Sequence, residues 1–306
     1  MKKRLLPLGA ALFVLAVCCG VPGQSAMAAT KVLCIGDSWG YAIPDPLNTH
    51  FNTHGHADWD VLNLAVPGAT ADVYANDAAG VLTLTLNTLA ATPSIEVVLI
   101  SLGGNDLWPN YLSQGWAIYA AIESDLRAIV EAILGVRPDV DIVFTGYDIL
   151  KFDKSNECLL FAYNFFGLVL PWEVSPLFIE IGNRQAAIDA DYPEVTYLNL
   201  FGTGQGNPGS PNILEWSPSA YVADDNVDCI HLSTSGFSKF TLEMYCRYFA
   251  PRFGQSCTAT TWAAASVAGS GEASQGLSAT GNGLVFLLAA PLAALLVWKR
   301  RVRKSR

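Results

Sequence analysis

The sequence predicts an α/β domain, a mostly parallel sheet covered by helices on both faces, and two observations carry that prediction. Short β-rich apolar runs recur along the chain, and longer segments of helical character separate them. Alternation of this kind joins parallel strands through helical crossovers, because a parallel neighbour is out of reach of a tight hairpin.

Taken in order, the apolar runs are residues 32–35, 61–65, 97–102, 142–145 and 195–200. Each is short and largely apolar, as a strand buried on both faces must be. Between the third and fourth lies 117–134, where Ile118, Ile122, Leu126, Ile129 and Ile133 recur at steps of three and four. That spacing places them on one helical face. After the fifth run, residues 235–249 predict a closing helix. Two stretches depart from the pattern. Residues 158–172 hold Phe161, Tyr163, Phe165, Phe166 and Trp172 without a single charge, and read either as a lid or acyl-binding wall or as an insertion packed on the core. Residues 258–283 are rich in Ala, Ser, Gly and Thr and read as a flexible linker.

Both ends look like addresses. Lys2, Lys3 and Arg4 precede an apolar run over 5–19 and the small-residue stretch Ala26-Met27-Ala28, so residues 1–28 predict a signal peptide. Residues 284–298 are apolar and uncharged, and residues 299–306 then bring Lys299, Arg300, Arg301, Arg303, Lys304 and Arg306. The apolar segment is short against the roughly 20 residues of a membrane-spanning helix, and cations stay on the cytoplasmic side. The expectation is an exported domain over 29–257, a linker over 258–283, a transmembrane or sorting segment over 284–298 and a basic cytoplasmic tail. A Gly-rich stretch, short helix and basic cluster also resemble tags that a sorting protease removes, so a domain anchored outside the cytoplasm and a released one both stay open.

The two ends hold nine of the 18 Lys and Arg and none of the 27 Asp and Glu, which leaves the body near −18. Nucleic acid is thereby excluded as a partner, since binding it requires cations that replace counterions along the phosphates. Five cysteines follow the signal: Cys34, Cys158, Cys229, Cys246 and Cys257. An odd count leaves at least one thiol free even in an oxidising compartment. Cys34, on a predicted buried strand, is the expected free thiol, with Cys158–Cys229 and Cys246–Cys257 as the expected disulfides.

Four segments carry candidate chemistry. The first strand ends in Gly36-Asp37-Ser38-Trp39-Gly40 just before a predicted helix, which exposes Ser38 at the carboxyl edge of the sheet. Its pattern also fits the Gly-x-Ser-x-Gly elbow of α/β-hydrolases, but that elbow follows several strands, not the first. Near the far end, Asp228-Cys229-Ile230-His231-Leu232-Ser233 places an acid three residues before a histidine. A serine hydroxyl needs a base, and the base needs an acceptor that fixes its tautomer; this pair supplies both. Asn63-Leu64-Ala65-Val66-Pro67-Gly68 ends the second strand with a glycine whose N–H is approachable, and Ser101-Leu102-Gly103-Gly104-Asn105-Asp106 ends the third with an amide. Singly, Ser38, Gly68 and Gly103 read as turn residues and Asn105 as a cap.

Together, and in this order, the four segments resemble the SGNH hydrolase family, also called GDSL esterases and lipases, over residues 31 to about 250. The resemblance implies a three-layer α/β/α, flavodoxin-like domain with a mostly parallel five-stranded sheet. It implies a serine esterase or lipase with Ser38 as nucleophile, His231 as base and Asp228 as its partner, and an oxyanion hole of the Ser38 and Gly68 N–H groups and the Asn105 amide. The implied substrate is a small-molecule or lipid carboxylic ester, and neither cofactor nor metal is required. Gly40 departs from the residue that the family name implies, which bears on substrate class more than on chemistry.

Other readings remain beside this one. The same fold also suits a carbohydrate O-acetyl esterase or a non-catalytic surface binding module. His50, His54, His56, Asp58 and Asp60 make a candidate metal site, against which the interleaved Asn52, Thr53 and Gly55 favour a polar helix end running into a loop.

Overall fold

The computed structural model describes residues 29–214 and 227–257. The expected signal peptide, linker, terminal apolar segment and basic tail lie outside the described residues. In chain order, β1 (Ala29–Gly36), α1 (Ser38–Ala42) and α2 (Pro44–Thr53) lead into β2 (Trp59–Asn63). Next, α3 (Ala71–Ala75) and α4 (Val81–Ala91) precede β3 (Val97–Ser101), and α5 (Gly104–Gln114) and α6 (Ile118–Val136) precede β4 (Asp141–Phe144). Finally, α7 (Asn156–Phe166) and α8 (Pro171–Asp191) lead to β5 (Val195–Tyr197), and α9 (Thr234–Met244) runs on as a π-helical turn, Tyr245–Phe249.

The five strands form one sheet in the order β2-β1-β3-β4-β5, and every neighbouring pair is parallel. The expected three-layer α/β/α arrangement follows: α2 and α9 pack together on one face, and α3, α4, α6 and α8 cluster around α6 on the other. Helices on both faces bury the central strands completely. Val97, Val98, Leu99, Ile100 and Ser101 of β3 have no exposed surface, nor have Val32 to Ile35 of β1. The helix expected over 117–134 is α6, with Ile118, Ile122, Leu126, Ile129 and Ile133 all buried.

Strand boundaries differ from expectation at the sheet edges. β2 begins at Trp59 because Trp59 and Asp60 pair with Ala29 and Thr30, and it stops at Asn63. Beyond that point the backbone still bonds β1, Leu64 N–H to Cys34 O and Val66 N–H to Gly36 O, but no longer as a ladder. β5 is likewise shorter than 195–200, although Leu198 N–H still reaches Phe144 O. The uncharged 158–172 stretch is mostly α7; Gly167 caps that helix at φ +70°, and Pro171 opens α8.

Chain reversal between β1 and β3 matters most for function. From β1 the chain goes to one side, and β3 lies on the other, so a crevice opens at their carboxyl ends where open α/β sheets bind ligands. Gly36 at that edge pairs with Ser101, and a Cβ there would sit 2.2 Å from the Ser101 carbonyl oxygen. With φ at +142°, only glycine lets the two strand ends approach so closely before the chain turns into α1.

The cysteines pair as expected among the described residues: Cys158–Cys229 and Cys246–Cys257 are disulfides, and Cys34 is free and buried. No single described helix is long and apolar enough to cross a membrane; α7 and α8 together pass that test only as a pair bent by 59°, and Val174, Leu177, Phe178 and Ile181 of α8 are buried in the domain.

Candidate active site

A serine at the start of a helix ordinarily caps it, with its oxygen accepting an N–H of the first turn. Thr70, Ser155 and Ser233 do so at α3, α7 and α9. At α1 the cap is Asp37 instead, whose Oδ1 accepts the Trp39 N–H at 2.8 Å. Ser38 is therefore relieved of capping, and its Oγ lies 2.7 Å from His231 Nε2. The other ring nitrogen, Nδ1, lies 2.9 Å from Asp228 Oδ2. Serine, imidazole and carboxylate thus form one continuous chain of hydrogen bonds across 193 positions of sequence.

Asp228 is held by its own loop. Its Oδ1 accepts the backbone N–H groups of Ile230 and His231, each at 2.7 Å. Burial alone raises its pKa, but the bonds and charge of His231 and these backbone donors outweigh burial and hold it below the usual carboxylate range. The loop is anchored further by the Cys158–Cys229 disulfide, between the acid and the imidazole in sequence. Closing a loop of 71 positions contributes about 4 kcal/mol in the chain-entropy account.

The ends of β2 and β3 are tied to each other by consecutive side chains. Asn105 Nδ2 donates to Ala69 O at 3.0 Å, and its Oδ1 accepts the indole N–H of Trp108 at 2.9 Å. It lies inside α5 after Gly103, so it is not the cap that a bland reading of the sequence suggests. Asp106, buried, accepts the N–H groups of Ala71 and Asp72. Burial pushes its pKa up to about 7. Gly68 takes φ +82° with open space around it, one residue from the carbonyl that Asn105 holds. Ser38 and Asn105 line the same recess, together with Gly104, Trp108, Tyr147 and Phe178. Gly68 does not line it. Gly40 is closely packed: a Cβ there would lie 3.0 Å from Ile35 O and 3.3 Å from the Ala65 side chain, so a larger residue requires its neighbours to shift.

Sequence reasoning missed Tyr147 and gave Asp37 no role. The Tyr147 hydroxyl donates to Asp37 Oδ2 at 2.6 Å and accepts the Gly104 N–H at 2.8 Å, which joins the turn before Ser38 to the turn before Asn105. Burial raises Asp37 to about 6, against the pull of Tyr147 and Trp39. Tyr147→Phe leaves two buried groups unpaired, a loss of about 1–3 kcal/mol, and is expected to lower the melting temperature by several degrees. Without the phenol, Asp37 rises further above its unfolded value. A group raised in the folded state contributes stability that is fully present below the ordinary carboxylate range and lost as pH rises through about 6. The variant's deficit in thermal melts is therefore expected to widen from pH 5 to pH 8; a deficit independent of pH would remove Asp37 from the account.

The three histidines of the 50–56 stretch do not converge. His50 Nε2 bonds Ser238 O, His54 stacks on Tyr245, and His56 stacks on Phe253. Among the described residues no three His, Cys, Asp or Glu side chains are grouped as metal ligands.

No protein-family model matches the chain, and no curated protein does. Solved structures similar to it include a lipase/acylhydrolase from Enterococcus faecalis, at 14% identity over 73% of this chain and 96% of that one, TM-score 0.47. An acetyl xylan esterase from Geobacillus stearothermophilus is similar at 15% identity over 76% of this chain and 97% of the other, TM-score 0.46. Both likenesses are remote, and the functional reading rests on the geometry of the site.

Proposed function

We propose that this chain is an SGNH-type serine hydrolase of carboxylic esters on a flavodoxin-like sheet, a reading that the 2-1-3-4-5 strand order supports by putting a switch point between β1 and β3. The observation that carries the reading is the unbroken chain from Ser38 Oγ through both ring nitrogens of His231 to Asp228. In the forward step Ser38 Oγ bonds to the ester carbonyl carbon while its proton passes to His231 Nε2. The imidazolium is stabilised by Asp228, already ionised, and gives that proton to the departing alkoxide as the carbonyl re-forms. Water then repeats the sequence on the acyl-enzyme and frees Ser38.

Charge on the carbonyl oxygen needs donors that are fixed beforehand. Asn105 carries two amide N–H groups and commits one to Ala69; the other, with the N–H groups of Ser38 and Gly68, makes the proposed oxyanion hole. Asn105→Ala is expected to lower kcat by about a hundredfold or more, with a fall of a few degrees in Tm from the lost bonds to Ala69 and Trp108. The two disulfides support an exported protein, in keeping with the signal expected over 1–28 and the anchor or sorting segment over 284–298. The direct test is labelling with a fluorophosphonate followed by peptide mapping. A label on Ser38 supports the reading, and an unlabelled Ser38 in folded protein overturns it.

A further inference from the structure

Two recesses of very different size meet at Ser38. One is lined by Asn105, Trp108, Tyr147, Leu150, Phe178 and Ile230 and offers about 10 Å³. The other, lined by His231 with Asp45, Pro46, Val227, Thr234 and Phe237, offers about 360 Å³ among the described residues. Ser38 belongs to both, Asn105 only to the narrow one and His231 only to the wide one.

Given the proposed mechanism, chemistry assigns each recess a half of the ester. The departing oxygen must take its proton from His231 Nε2, so the alcohol lies on the His231 side. The acyl chain then extends away from the imidazole, past Asn105 and into the narrow recess. About 10 Å³ is the space of one small group, at the lower limit for a single water. Of acyl groups an acetyl methyl asks least of that space, and each further carbon must displace more of the wall.

The walls are poorly placed to move. Tyr147, Leu150 and Phe178 are each no more than 4% exposed. Trp108 is tied to Asn105 through its indole N–H and contacted by the rings of Phe161, Phe165 and Phe166 from the uncharged stretch. No residue of 158–172 lines the narrow recess itself; Phe161, Phe165 and Phe166 back Trp108, while Leu160, Tyr163 and Trp172 are exposed. On the wide side, among the described residues, Asp45 contributes a carboxylate to the lining, and the Lys154 ammonium bonds the Val227 carbonyl.

We infer that the substrate is the acetyl ester of a bulky alcohol, with Leu150, Phe178 and Trp108 limiting acyl length. This rests on the triad reading above. The test uses the full chain and a series of p-nitrophenyl acetate, butyrate and octanoate, compared by kcat/KM. Since each methylene that a pocket refuses is worth about tenfold or more, acetate is expected to exceed butyrate by about a hundredfold. Leu150→Ala, and independently Phe178→Leu, should raise the butyrate-to-acetate ratio about tenfold or more by opening the recess. Octanoate cleaved as well as acetate by the wild type overturns the acetyl assignment while leaving the hydrolase in place. So do unchanged ratios in folded forms of both variants. A folded wild type that cleaves none of the esters and leaves Ser38 unlabelled by fluorophosphonate overturns the hydrolase reading instead.

Discussion

Ser38→Ala is expected to lower kcat/KM on an acetate ester by about 10⁶-fold, the scale seen when a serine nucleophile is removed, while the protein stays folded. The two halves of this expectation come from different bonds. Activity depends on Oγ, which is 2.7 Å from His231 Nε2 and has no second structural task, since Asp37 caps α1. Folding is spared because the side chain of His231 is about a third exposed, so water replaces the lost hydroxyl at the ring. Alanine also suits a first-turn helix position, and surface changes away from such features usually stay within about 0.5 kcal/mol. Parallel measurements of ester hydrolysis and thermal melting check both halves. Activity retained within tenfold of wild type in a folded variant would show that another nucleophile does the work.

How far the sequence leads can be judged at individual residues. The central strands were legible because parallel strands buried on both faces must be nearly continuous apolar runs, as Val97 to Ser101 are. The ends of β2 and β5 were not, because Leu64 and Leu198 are as apolar as ladder residues although the chain is already leaving the sheet. Ser38, Gly68 and Asn105 stood out because turn chemistry and an amide follow three successive strands, and Asp228 and His231 because an acid–base pair directly precedes the last predicted helix. Tyr147 stood out in no way. Its task is to bridge Asp37, 110 positions away, and Gly104, 43 positions away, and a tyrosine in a loop has no local signature of such a partner. The same holds for the long-range partners of Asp37 and Asp106: their motif positions were visible, but that Asp37 accepts the Tyr147 hydroxyl and Asp106 the N–H groups of Ala71 and Asp72 is decided only when the strand ends meet.

Asp228→Asn is expected to lower kcat by about 10⁴-fold without unfolding the loop, and the direction follows from how the carboxylate is held. Its Oδ1 accepts two backbone N–H groups, from Ile230 and His231, and its Oδ2 faces His231 Nδ1. An asparagine must keep its carbonyl oxygen toward the two backbone donors, because an NH₂ there would face donors on both sides. The NH₂ is thereby forced toward Nδ1, which must then act as an acceptor. The imidazole proton moves to Nε2, and that nitrogen can no longer take a proton from Ser38. The substitution thus keeps the shape of the loop and reverses the tautomer. A second readout separates this from a general structural defect. The depressed pKa of Asp228 contributes stability that is present above the ordinary carboxylate range and lost as pH falls through its lower folded value. Asparagine does not titrate, so between pH 5 and pH 2 the variant should lose less melting temperature than the wild type does. A variant that hydrolyses acetate within tenfold of wild type would show that Asp228 does not set the tautomer of His231.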